Sequence, residues 1–90
     1  MKNQFYLVGY RDKNKNGKIV EYFFSDGAGE FTTTIKDLSE YIVFSKDEAK
    51  AICNSVHDDN KNFDEYVDTY VITVPFHNLK GCSITYRKKK

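Results

Sequence analysis

Cys53, His57, His77 and Cys82 are the only cysteines and histidines of the 90-residue chain. Their Cys-x3-His and His-x4-Cys spacing offers four borderline-soft ligands, an inventory that suits zinc. Against this, the spacings differ from those of common zinc fingers. Cys53 also falls on the apolar stripe of an expected helix, where a free cysteine behaves as a small hydrophobe. The expectation is a domain that holds no metal and no other cofactor. Asp12-Lys13-Asn14-Lys15-Asn16-Gly17-Lys18-Ile19 matches the start of a calcium-binding EF-hand loop. The match then fails, because Phe23 stands where a bidentate Glu is required and the flanks read as strands rather than helices.

Catalysis by a cysteine or serine needs a positioned base and donors for the developing oxyanion. Gly81-Cys82 with His57 or His77 supplies the residue types, but nothing in the spacing orients them. Gly27-Ala28-Gly29 lacks the Lys-Ser/Thr pair and following helix of a phosphate loop. His57-Asp58-Asp59 reads as a helix end running into a polar loop. No catalytic set assembles, so the expectation is a protein that is not an enzyme and works by binding.

The elements that would position a binding surface are legible from patterning. Residues 5–11 and 19–25 are β-rich, and Asn16-Gly17 between them is a strong two-residue hairpin signal. Residues 31–35 read as a third strand, 37–40 as a turn or one helical turn, and 41–44 as a short buried strand. Ser45 then caps a helix, with Glu48 three residues on completing a capping box. Ala49, Ile52, Cys53 and Val56 form one apolar stripe, which predicts a helix over 46–57. Residues 66–74 form the longest expected strand, ended by Pro75, and 82–86 the last. The predicted fold is a single α+β domain over residues 1–90. It comprises a small antiparallel or mixed sheet of four to five strands, with one main helix packed on one face.

Fourteen Phe and Tyr residues supply most of the bulk for a core in so short a chain. Two cysteines make no disulfide framework, no apolar run is long enough to span a membrane, and the chain opens without a leader-like stretch. These features predict a cytoplasmic protein without membrane contact. The formal net charge of +1 argues against both a basic glove for nucleic acid and an acidic mimic of it. Charge is nonetheless segregated. Residues 58–68 carry five acids against Lys61 alone, and residues 69–90 carry five bases and no acid. A solvated acidic loop and a frayed basic tail account for this most simply.

A two-residue Asn16-Gly17 turn would set Tyr10 opposite Phe23 and Val8 opposite Ser25. One hairpin face would then carry Phe5, Leu7, Val20, Tyr22 and Phe24, and the other Tyr6, Val8, Tyr10, Ile19 and Phe23, with Asp12 and Glu21 at its edge. One helix of this length cannot cover both faces. Either the Thr-rich segment or the later strands fold over the second face, or that face is an exposed aromatic platform of the kind used at interfaces and for base stacking.

The run Tyr41-Ile42-Val43-Phe44-Ser45-Lys46-Asp47-Glu48-Ala49 followed by Tyr70-Val71-Ile72-Thr73-Val74 resembles small accessory proteins of phages that infect low-GC Gram-positive bacteria. The shared feature is a short strand, a Ser-capped helix with Ala in its first turn and a returning strand, and it spans about half the chain. Twelve lysines against two arginines, seven asparagines and no tryptophan suit an AT-rich genome of that kind. The resemblance implies an anti-defence or host-takeover protein that binds and inhibits or redirects a host protein, a defence complex such as a CRISPR effector among them.

These readings converge on a partner-binding surface made of Tyr6, Tyr10, Phe23 and Glu21, with Asp58, Asp59, Asp64 and Glu65 as steering charge. The alternative is a module for single-stranded nucleic acid, stacking bases on Tyr6, Tyr10 and Phe23 and gripping phosphates with residues 87–90. Oligomeric state stays open.

Overall fold

The computed structural model describes residues 4–25, 30–35, 37–75 and 81–90. Five strands, β1 (Gln4–Lys13), β2 (Ile19–Ser25), β3 (Glu30–Thr32), β4 (Tyr66–Pro75) and β5 (Ser83–Lys89), form one sheet in the order β3-β2-β1-β4-β5. Every pairing is antiparallel. A single helix, α1 (Lys46–Asn60), connects β3 to β4 and packs on one face, as its apolar stripe predicts. No helix among the described residues is long and apolar enough to cross a membrane.

Helix α1 starts where its cap dictates. Ser45 is extended, and its hydroxyl accepts from the Glu48 backbone N–H at 3.3 Å. The helix outruns its apolar stripe by one turn, because Asn60 Nδ2 donates to the Val56 carbonyl at 2.7 Å. Ala49, Cys53 and Val56 form its buried side.

The hairpin register differs from the two-residue expectation by one position. Asn14 closes a longer loop. Its side-chain oxygen accepts from the backbone N–H groups of Asn16 and Lys18 at 2.9 and 3.0 Å, and Gly17 adopts a φ of +78°. Lys13 therefore pairs with Ile19, Tyr10 with Tyr22 and Gly9 with Phe23. A one-residue slip sends a whole strand's side chains to opposite faces. Tyr22 and Phe24 consequently share a face with Tyr6, Val8 and Tyr10, whereas Phe23 and Glu21 lie on the other.

Both faces are built upon. Under α1, Tyr6, Val8, Val43, Ala49, Cys53 and Val71 make one core cluster, with Phe24, Ile52 and Tyr86 against it. On the opposite face Leu7, Tyr41 and Val74 form a second cluster with Phe23, Ile35, Leu38 and Ile42. Ile35, and Leu38, Tyr41 and Ile42 in and just after a 3₁₀ turn at Leu38–Glu40, thus cover the sheet's second face, the covering role considered for the Thr-rich stretch. Residues 41–44 do not form the short strand expected of them. A single bridge, Val43 to Tyr6, occupies the edge that β1 exposes where β2 leaves it to pair with β3.

Candidate functional site

A five-stranded sheet is about 20–24 Å wide at ~4.8 Å per strand, and a helix with its side chains is about 10–12 Å across. One helix therefore covers about half of such a sheet. Here α1 lies over β4, β1 and β5. On that same face, the side chains of β2 and β3 extend beyond the helix.

The uncovered strip is aromatic. Tyr10 stacks on Tyr22 with ring centroids 5.0 Å apart, and Phe31 meets Tyr10 edge-on at 4.7 Å. Phe24 lies 5.1 Å from Phe31. All four rings are partly exposed. Phe24 and Phe31 floor an open groove of about 440 Å³, whose wall is the α1 side bearing Ala51, Ile52, Ser55, Val56 and Asp59. By helical spacing Glu48 shares that side. A second recess of about 230 Å³ continues past Tyr10 toward the loop after α1, lined also by Asp12, Lys13, Asn60, Phe63, Glu65 and Tyr66. Phe63 is 58% exposed at its rim. Partial burial, then the charge of Asp12, raises the Tyr10 phenol pKa, and burial, then the Glu65 carboxylate, raises that of Asp12.

This arrangement corrects the sequence-based surface residue by residue. Tyr6 is only 5% exposed and lies beneath α1, so it belongs to the core. Phe23 is on the opposite face, packed in the second cluster. Glu21 is there too, accepting a hydrogen bond from the Tyr70 hydroxyl. Tyr10 lies in the aromatic strip, Asp59 in the groove wall and Glu65 in the adjoining recess. Asp58 and Asp64 are exposed nearby, with Lys61 3.6 Å from Asp58. Tyr22 and Phe24 were not assigned to this surface from sequence because the hairpin parity was off by one, and Phe31 reaches it only through the pairing of β3 with β2.

The segregated charges also resolve differently. Asp68 is not part of a solvated loop. It is 2% exposed and receives Arg11 through Nε at 2.8 Å and a second guanidinium nitrogen at 2.6 Å, with Arg87 Nε at 3.3 Å. Its hydrogen bond to Arg11 is the main reason that the guanidinium pKa is raised. Both guanidinium carbons lie 5.9 Å from the Tyr70 ring centroid. The basic tail is not frayed, since residues 87–89 belong to β5 and Lys90 Nζ donates to the Phe63 carbonyl at 2.6 Å. Lys50 sits 5.1 Å over the Tyr86 ring, on the flank of α1 facing away from the groove.

The four soft ligands considered for zinc are not assembled among the described residues. Cys53 is buried in the core, where desolvation pushes its thiol up to about 11. His57 Nδ1 is 2.9 Å from the Tyr66 hydroxyl, which in turn lies 2.5 Å from Thr69 Oγ1. Cys82 belongs to the second face, and His77 lies outside the described residues. Gly27-Ala28-Gly29 lies outside them as well.

No family model matches the chain, and no curated protein or solved structure matches it either.

Proposed function

We propose that this protein acts by binding another protein across the aromatic strip beside α1, and that it inhibits or redirects that partner in the manner of the phage accessory proteins it resembles. The observation that carries this reading is the lateral placement of the helix. It leaves the rings of Tyr10, Tyr22, Phe24 and Phe31 partly exposed, with Phe24 and Phe31 flooring an open apolar groove. Contiguous apolar surface with a polar rim is the usual character of a protein interface, and aromatic residues dominate interface energetics.

The nucleic-acid alternative is weakened by charge placement. Stacking of bases needs phosphate-binding cations beside the aromatic floor. Asp59, and Glu48 by its spacing, flank this floor, while Lys50 and the strand bearing Arg87, Lys88 and Lys89 lie across the helix from it.

Capture from a low-GC Gram-positive lysate tests the reading when groove variants are run in parallel. Wild-type protein is expected to retain a discrete protein or complex. Ala51→Arg, at an exposed helix position, is expected to lose it while melting normally, and Lys88→Glu to keep it. Retention unaffected by Ala51→Arg would place the interface elsewhere. Oligonucleotide binding that falls steeply with salt would favour the alternative.

A further inference from the structure

The shape and charge of the groove narrow what it takes. Where residues 23–25 of β2 pair with β3, the surface beside α1 is two strands wide, about 10 Å, which is the width of one α-helix. Its long wall is itself a helix, so a second helix laid beside α1 would complete the layer on this face, at the 8–10 Å spacing usual for packed helices. Small residues at the contact, Ala51 and Ser55, permit that approach. Around them stand Glu48 and Asp59, on the stripe that the spacing i, i+3, i+7 and i+11 defines.

We infer that the groove binds an amphipathic α-helix of a partner protein, with an apolar stripe seated on Phe24 and Phe31 and lysine or arginine flanks meeting Glu48 and Asp59. This deepens the protein-binding reading and rests on it. A second copy of this chain is a poorer occupant. A two-fold pairing of α1 with its own copy along this wall would set Glu48 of one chain against Asp59 of the other. An added β-strand has less to pair with, since the edge strand on this side, β3, is only three residues long and the β2 residues it leaves open are 19–22.

The test uses the full chain, labelled with ¹⁵N, and a synthetic 15-residue peptide with leucines at helical spacing and lysines elsewhere. Three control peptides accompany it: the same composition with leucines scattered, a Leu/Glu version, and a Val/Lys alternating sequence. The amphipathic Leu/Lys helix is expected to shift amides around Phe31, Ala51 and Ser55, and to bind at least ten-fold more tightly than the scattered or Leu/Glu peptides. Ala51→Arg is expected to weaken it at least ten-fold. The double variant Glu48→Lys, Asp59→Lys is expected to reverse the preference toward the Leu/Glu peptide.

Equal binding of the scattered peptide, or shifts that ignore Ala51→Arg, would overturn the inference. Preference for the alternating peptide with shifts at Ile19 and Val20 would assign strand addition at the β2 edge instead. Self-association that Ala51→Arg abolishes would assign a second copy. If no peptide binds while Ala51→Arg still abolishes capture from the lysate, the helical occupant is wrong and the protein-binding reading stands. If capture also ignores Ala51→Arg, that reading fails with it.

Discussion

The ring of Tyr70 fills the space that a side chain at Gly9 would need: a Cβ there would lie 2.7 Å from the ring. The two residues face each other on neighbouring strands, on the side of the sheet opposite α1. With no side chain in the way, the fully buried phenol lies across β1 and reaches Glu21 on β2. One glycine thus lets a tyrosine tie three strands together.

Gly9→Ala is expected to destabilise the protein by about 1–3 kcal/mol, the usual cost of overpacking. Urea denaturation gives the value. A loss below about 0.5 kcal/mol would mean that the ring moves aside freely.

Asp68→Ala removes the acceptor shared by Arg11 and Arg87. Breaking a buried pair by deleting one partner costs about 3–5 kcal/mol when the other charge stays buried. Both arginine side chains are about one-third exposed, at 32% and 34%, so water re-solvates them and the lower end, about 3 kcal/mol, is expected. An Arg11→Met, Asp68→Leu, Arg87→Met triple variant should recover much of that loss. A single Asp68→Ala variant as stable as wild type would show that the cluster contributes nothing to folding.

Tyr6 and Tyr22 separate the two possible hairpin registers. Tyr6→Ala is expected to cost about 3–5 kcal/mol, the range for emptying a large aromatic site in a core. Tyr22→Ala, at a partly exposed ring, is expected to cost less than half of that. The reverse ranking in thermal melts would restore the two-residue turn and the opposite face assignment.

The Cys53 thiol gives a signature at alkaline pH. Its folded-state pKa is raised by burial to about 11 from an ordinary thiol value of 9.0. The unfolded chain therefore loses this proton first, and stability present below pH 9 declines as pH rises through the interval to 11. Tyr70, whose phenol is raised by burial and by its bond to Glu21, pushes in the same direction at higher pH. Cys53→Ala is expected to flatten the decline between pH 9 and 10, on top of a pH-independent loss from the vacated volume. An unchanged slope would assign the decline to the tyrosines alone.

Ser45→Ala is expected to cost about 0.5–1 kcal/mol, the lower part of the range for an N-cap, since its bond to the Glu48 N–H is long at 3.3 Å. Circular dichroism melts of the two proteins suffice. No change would mean that water caps the helix equally well.

Much of the architecture was legible in the residues because it depends on neighbours within a few positions. Ser45 with Glu48, and the stripe of Ala49, Ile52, Cys53 and Val56, place a helix wherever the chain goes next. The alternation in residues 66–74 likewise declares a strand, and the single-helix α+β sheet follows. Face assignment is different in kind. It hinges on whether two or five residues close the first hairpin, and Asn16-Gly17 and the Asn14 side chain compete for that decision over a difference of one residue. Tertiary structure settled it in favour of Asn14, which moved Phe23 and Glu21 off the face of Tyr10 and brought Tyr22 and Phe24 onto it.

Two further outcomes depended on contacts distant in sequence. Arg11, Asp68 and Arg87 lie on three strands, so local charge counting read Asp68 as solvated and Arg87 as part of a loose tail. The lateral position of α1 on the sheet is set by packing against β1, β4 and β5, not by its own periodicity. From the sequence alone, one helix and an aromatic-rich sheet posed two alternatives, a second face covered by other segments or an exposed aromatic platform. Which aromatic surface stays uncovered, the strip of Tyr10, Tyr22, Phe24 and Phe31, was decided only when register and helix placement were fixed together, because side-chain direction in a strand alternates with every residue while burial is conferred by whatever packs above it.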